Sequence, residues 1–206
     1  RDLRREDNGE LLVVMERLAG INLREYTHLH ITRNGRLVLE EALPVLQRVA
    51  AAIDAVNRML ASTHNDIKPE SIFLVNDCTE VKLLDYGVTA RPLANSSTSS
   101  TRAKPAEPMP LESPDYMAPE KWVDGAITTL ADQYSLGVIV YEMLSRRLPF
   151  WLNDPRHEPA DVDDPVERRR QLLANLRQEV LETRPALLRE RSPAVNAVLF
   201  RALAKV

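Results

Sequence analysis

His64-Asn65-Asp66-Ile67-Lys68-Pro69-Glu70-Ser71 is the stretch on which the reading of this chain turns. Taken singly, Asp66 reads as a turn carboxylate capping local backbone and Lys68 as a solvent-exposed cation. Their setting says more. Upstream, Leu43, Leu46, Ala50, Ile53, Val56 and Leu60 recur at three and four residues, with Gln47, Arg48, Asp54 and Arg58 between them, which predicts an amphipathic helix delivering the chain to His64. Downstream, Ile72-Phe73-Leu74-Val75 and Val81-Lys82-Leu83-Leu84 flank the polar residues 76 to 79, which predicts a short hairpin ending at Asp85-Tyr86-Gly87. The octapeptide and the Asp85 triplet thus bracket one hairpin. A third short motif, Ala118-Pro119-Glu120, follows a run from Ala94 to Pro114 dominated by Ser, Thr, Pro and Ala, too poor in large apolar groups to order itself by packing. A mobile loop is expected there.

Working outward, Asn8-Gly9 before Leu11-Leu12-Val13-Val14 predicts a tight hairpin turn leading into a buried strand. Toward the C-terminus, Ile127 to Leu144 is the most apolar helical segment, with Thr129 as its expected N-cap and Asp132 three residues on. Asp164-Pro165 predicts the start of a helix through Leu172, Leu173, Leu176 and Val180, and Ser192-Pro193 opens another that ends near Lys205. No internal repeat or coiled-coil heptad is present. The fold class expected is α+β and predominantly helical.

At 206 residues the chain can bury a real core, most naturally as one domain. A formal net charge of -3 gives no uniform positive field, which argues against a nucleic-acid-binding module; Arg168-Arg169-Arg170 reads as a solvated helix face. Cys78 is the one cysteine, placed in an expected turn, so there is neither a disulfide framework nor a Cys-based zinc site, and a reducing, cytoplasmic setting fits best. Asn95-Ser96-Ser97 matches the glycosylation acceptor pattern, a pattern too short to weigh against that setting. Glu142 interrupts the longest apolar run, so no segment here is expected to contact a membrane.

The three motifs, in this order, resemble the signature set of the eukaryotic-type (Hanks-type) Ser/Thr protein kinases: a catalytic loop, a metal-binding triplet and the Ala-Pro-Glu that closes the activation segment. The resemblance covers essentially the whole chain and is most specific at residues 64 to 71 and 113 to 120. It implies a protein-kinase-like fold with residues 1–19 as the end of the N-lobe sheet and the hinge, and 20–206 as a C-lobe whose activation segment is 85–120. It also implies transfer of the ATP γ-phosphate to a Ser or Thr hydroxyl of a protein substrate, with Mg²⁺. Phosphoryl transfer asks a protein chiefly for positioning and charge stabilisation. By resemblance, Asp66 is the base and Lys68 contacts the γ-phosphate, the Lys-Pro pair setting this pattern apart from tyrosine kinases. Asp85 is the expected magnesium ligand, a hard oxygen donor. His64 is a structural histidine that packs with Tyr86. The hinge resembles Val14-Met15-Glu16-Arg17-Leu18, with Met15 as gatekeeper, the backbone of Glu16 and Leu18 facing adenine and Phe73 beneath it. Ser113 to Met117 resembles the segment that docks the residue after the phosphoacceptor. Asp132 is expected either to bind catalytic-loop amides or to serve as a helix first-turn carboxylate.

Two positions depart from the family pattern. Ser71 stands where an Asn reaches the second Mg²⁺, and a shorter hydroxyl weakens that contact or places a water in it. Asn65 stands where an Arg pairs with a phosphate on the activation loop, so loop phosphorylation loses its main anchor. The six glycines are too scattered for a phosphate-covering G-x-G-x-x-G, and no lysine lies in a V-A-I-K-like strand. From this the sequence reads as a hinge and most of a C-lobe, C-terminally incomplete. A pseudokinase scaffold is the alternative that Ser71 and Asn65 keep open.

Overall fold

The computed structural model describes residues 2–5, 11–35, 37–60, 63–84, 113–126, 128–159 and 162–205. Asp85-Tyr86-Gly87, the Ser/Thr/Pro-rich run up to residue 112 and the Asn8-Gly9 turn lie outside the described residues. Strand β1 (Asp2–Arg5) pairs antiparallel with β2 (Leu11–Val14), in the register Arg5 to Leu11 that the expected hairpin requires. The expectation of a buried strand is corrected at Val14, which is 45% exposed. Residues 15 to 19 then run without regular structure into β3 (Gly20–Asn22), a strand that three residues without alternation could not announce.

Helix α1 (Leu23–Asn34) follows directly, and it too escapes the periodicity reading because only Leu23 and Tyr26 are buried along it. Its local signal is a capping box: Asn22 Oδ1 accepts from Glu25 N–H at 2.9 Å while the Glu25 carboxylate accepts from Asn22 N–H at 3.1 Å. Gly35 ends it at φ 71°, a left-handed conformation that glycine adopts without the Cβ penalty.

Helix α2 (Leu39–Leu60) is the amphipathic helix expected, but its buried face is Ala42, Val45, Leu46, Val49 and Ile53. Leu43 and Ala50, both placed on that face by the spacing argument, are exposed, Leu43 to 46%. Ala42 through Ile53 form a tighter three-and-four stripe, and choosing it turns Leu43 to the helix flank. After the catalytic-loop segment and a 3-10 turn at Pro69–Ser71 comes the expected hairpin, β4 (Ile72–Val75) and β5 (Glu80–Leu83). These join β3 in an antiparallel sheet of order β3-β4-β5. At Gly20 a Cβ would lie 2.0 Å from the Leu74 carbonyl oxygen, so only glycine permits the β3–β4 approach.

A second 3-10 turn, Pro114–Tyr116, leads into α3 (Pro119–Val123) and then α4 (Thr129–Ser145), the core helix, with ten buried residues including Asp132, Val138 and Ile139. Its N-cap is Thr128, not Thr129: the Thr128 hydroxyl accepts from Ala131 N–H at 3.2 Å. Two adjacent threonines are equivalent in sequence, and the path of the incoming chain decides between them. After a 3-10 turn at Pro155–His157, α5 (Pro165–Glu182) and α6 (Pro193–Ala202) begin at Asp164 and Ser192 as expected. The main core gathers α1, α2, β4, α4 and Leu199 and Leu203 at the C-terminal end. A smaller core of Met117, Trp122, Phe150, Leu152, Leu176 and Val180 joins α3 to α5. The α+β, helix-dominated class is as expected.

Candidate active site

The loop from Thr63 to Ser71 is held by α4. Asp132 is fully buried, and its two carboxylate oxygens accept from His64 N–H and Asn65 N–H, each at 2.8 Å. Of the two roles open to Asp132, it fills the amide-binding one while also sitting in the first turn of α4. Satisfying two buried N–H groups from one buried carboxylate offsets the cost of burying each of them.

His64 is fully buried, and its Nε2–H donates to the Leu84 carbonyl at 2.7 Å. Leu84 N–H in turn donates to the Ser71 carbonyl at 2.7 Å. Both ends of the loop are therefore tied to the residue immediately before Asp85. His64 is structural, as expected, and Asp85 itself lies outside the described residues.

Asp66 is half-buried, its side chain 11% exposed, and its Oδ2 lies 2.8 Å from Lys68 Nζ. Ile67 between them is buried and faces the core, which sets Asp66 and Lys68 on the opposite side of the extended backbone. Ser71 is buried; its hydroxyl accepts from Lys68 N–H at 3.0 Å and has the carbonyls of Lys68 and Asp66 at 2.9 and 3.2 Å to donate to. A hydroxyl has one donor and two lone pairs, so one lone pair of Ser71 is left over from this bracing.

Of the residues expected at the hinge, Met15 is 54% exposed, Glu16 is exposed and Leu18 half-buried, all in the stretch between β2 and β3. Phe73, half-buried in β4, stands opposite Asn22 of β3, so sheet pairing joins Phe73 to the strand that follows that stretch. The residues expected at the nucleotide thus come from one stretch before β3 and from β4, and those expected in catalysis from one clamped loop.

Beside Lys68 opens a cavity of about 510 Å³ bordered by Ser113, Pro114, Asp115 and Leu148. Its floor is an ion cluster that sequence reading missed. Arg24 of α1 pairs with Glu70, donates to Glu142 at 2.9 Å and to the Tyr116 hydroxyl at 2.7 Å, and that hydroxyl donates to Glu142 at 2.7 Å. Burial works against the Arg24 charge, but the bonds to Glu70 and Glu142 outweigh it and hold its pKa above the usual range. Burial, with Glu142 adding to it, raises the Tyr116 phenol. Burial also raises the Asp115 carboxyl, partly offset by the Leu152 N–H it accepts at 2.7 Å. These partners lie 46, 92 and 118 residues apart, and no local pattern reports such separations.

The sequence profile described as protein kinase domain matches residues 4–202. The chain belongs to the protein kinase family. Similar curated proteins are Ser/Thr kinases of bacteria: PrkC of Bacillus subtilis is 35% identical over 145 residues, 70% of this chain and 20% of that protein. PknL of Mycobacterium tuberculosis is 34% identical over 145 residues, 70% of this chain and 33% of that protein. Among solved structures, the Cydia pomonella granulovirus kinase PK-1 matches with a TM-score of 0.66 at 23% identity, over 99% of this chain and 66% of that one, a likeness of fold. The chain thus spans a third or less of the length of these two bacterial relatives, on the Hanks-type Ser/Thr side of the family. Among the described residues no helix is long and apolar enough to cross a membrane.

Proposed function

We propose that the protein carrying this domain is a Ser/Thr protein kinase that transfers the ATP γ-phosphate to a hydroxyl of a protein substrate. The observation that carries this reading is the Asp66 carboxylate, 11% exposed and fixed 2.8 Å from Lys68 on a loop whose backbone is gripped by buried Asp132. Asp66 accepts the proton of the attacking hydroxyl, and its short loop leaves it little freedom to miss that geometry. Lys68 places a cation beside the carboxylate, where negative charge on a transferring group is stabilised.

The donors present suit a magnesium nucleotide. Asp85 and the spare lone pair of Ser71 would supply oxygen ligands to Mg²⁺, and Met15, Glu16, Leu18 and Phe73 would border the adenine. When bound, ATP with Mg²⁺ supplies the phosphoryl group and neutralises its charge. A net charge of -3 gives no uniform positive field to favour nucleic acid. A free Cys78 thiol and dependence on ATP support a cytoplasmic site of action.

The test is phosphate transfer from γ-labelled ATP to dephosphorylated casein by the whole protein. Asp66→Asn lowers kcat by about 100-fold or more, the scale of a positioned acid–base group, with ATP affinity by calorimetry retained. A protein indifferent to Asp66→Asn is instead a binding scaffold that keeps the fold.

A further inference from the structure

Asn65, the residue before Asp66, is held at both of its backbone polar groups, its N–H by Asp132 of α4 and its carbonyl by Lys121 of α3. Asn65 is 8% exposed and sits at φ 69°, in the left-handed region. Asparagine is among the few non-glycine residues that visit this region, and here its backbone N–H and carbonyl are both held by neighbouring elements. Asp132 takes the Asn65 N–H. The Asn65 carbonyl, the oxygen of the peptide leading directly into Asp66, accepts from Lys121 Nζ at 2.9 Å in a half-buried setting. Lys121 lies on α3, next to Glu120, whose carboxylate accepts from the hydroxyl of Thr128, the α4 N-cap, at 3.0 Å. Since that bond fixes α3 against the start of α4, Lys121 and Asp132 approach the loop from a single frame.

We infer that Lys121 is a positioning residue for catalysis, holding Asp66 in place through the Asn65 carbonyl. The inference rests on the kinase reading above. A charged donor on a neutral carbonyl is about twice as strong as a neutral pair, and shielding from water keeps it so. The bond also explains how a loop with neutral Asn65 keeps its shape: the lysine supplies from α3 a fixed cation that needs no covalent modification of the protein. Without it, the left-handed residue keeps its N–H anchor and loses its carbonyl anchor, and Asp66 gains freedom about the 65–66 peptide.

The experiment compares wild type, Lys121→Met, Lys121→Arg and Asp66→Asn in the whole protein, with ATP and dephosphorylated casein. Lys121→Met, matched in length and apolar, lowers kcat about 10-fold, a barrier change of about 1.4 kcal/mol, with KM for ATP within twofold. Lys121→Arg restores most of the rate. Independently of activity, Lys121→Met speeds amide hydrogen exchange across residues 64–68 about 10-fold, while α4 amides keep their protection. A Lys121→Met protein with wild-type kcat and unchanged loop exchange overturns the inference, and so does an Arg variant as impaired as Met with uniform loss of protection throughout the domain. A wild type insensitive to Asp66→Asn defeats the kinase reading instead, and the exchange measurement still decides whether Lys121 holds the loop.

Discussion

At Ser71 a single side chain is asked to serve two masters. Its hydroxyl braces the catalytic loop through Lys68 and Asp66, and it is buried, so little of its hydrogen-bonding capacity is left for a metal. An asparagine there brings an amide N–H₂ for the Asp66 carbonyl and a separate carbonyl for a cation. Ser71→Asn is therefore expected to raise turnover about threefold to tenfold, about 1 kcal/mol of barrier, and to lower the Mg²⁺ concentration needed for half-maximal rate. A Mg²⁺ titration of both proteins checks this, and superimposable curves show that Ser71 imposes no defect. Asp132 lies at the other extreme. Two buried N–H groups depend on it, and nothing in its position in the sequence separates that task from an ordinary first-turn carboxylate.

Among the elements, the turn at Pro155–His157 shows how a local cap is wired into the larger fold. Asp154 Oδ1 accepts from the Arg156 N–H at 2.9 Å, and the Asp154 carboxylate pairs with the Arg156 guanidinium at 2.6 Å. That guanidinium also reaches Glu179 of α5 at 3.0 Å, and Glu179 lies 3.2 Å from His157. The Arg156 side chain, then its backbone N–H, hold the Asp154 carboxyl down to about 2 from an ordinary value of 3.8. A carboxyl depressed in the folded state adds stability above its unfolded pKa and loses it as pH falls through the folded value. Asp154→Ala is expected to cost about 0.5–1 kcal/mol at pH 7, the size of a typical cap loss, with the difference from wild type shrinking between pH 4 and pH 2. Urea titrations across that range measure it, and a pH-independent difference rules out the carboxylate as its source.

For the whole molecule, the question is whether charge or packing holds the helical lobe. Arg24 links α1, the catalytic-loop turn, the Pro114–Tyr116 turn and α4, but its side chain is 45% exposed. Solvent screening limits such a cluster, and Arg24→Leu is expected to lower stability by about 1 kcal/mol. Ile139, at the centre of α4, is fully buried within the main core, and Ile139→Ala is expected to cost about 3 kcal/mol through lost transfer energy and the cavity left behind. Chemical denaturation of the two variants compares the effects directly; an Arg24→Leu loss equal to or above that of Ile139→Ala makes the ion cluster the stronger support.

The octapeptide at 64–71, the hairpin after it, the apolar helix near 127–144 and the Asp-Pro and Ser-Pro helix starts were all legible in the sequence, because each is a local pattern with a local cause. So was the family, whose motifs fall in short runs. The tertiary structure alone decided which stripe of α2 is buried, that Thr128 and not Thr129 caps α4, and that β3 exists, since each depends on what the neighbouring element presents. It decided between the two roles open to Asp132, and it alone brought Lys121 and Arg24 to the loop and Glu142 to Arg24. Their partners are set by folding across 46 to 118 residues, a distance over which neither hydrophobic period nor motif spacing carries information.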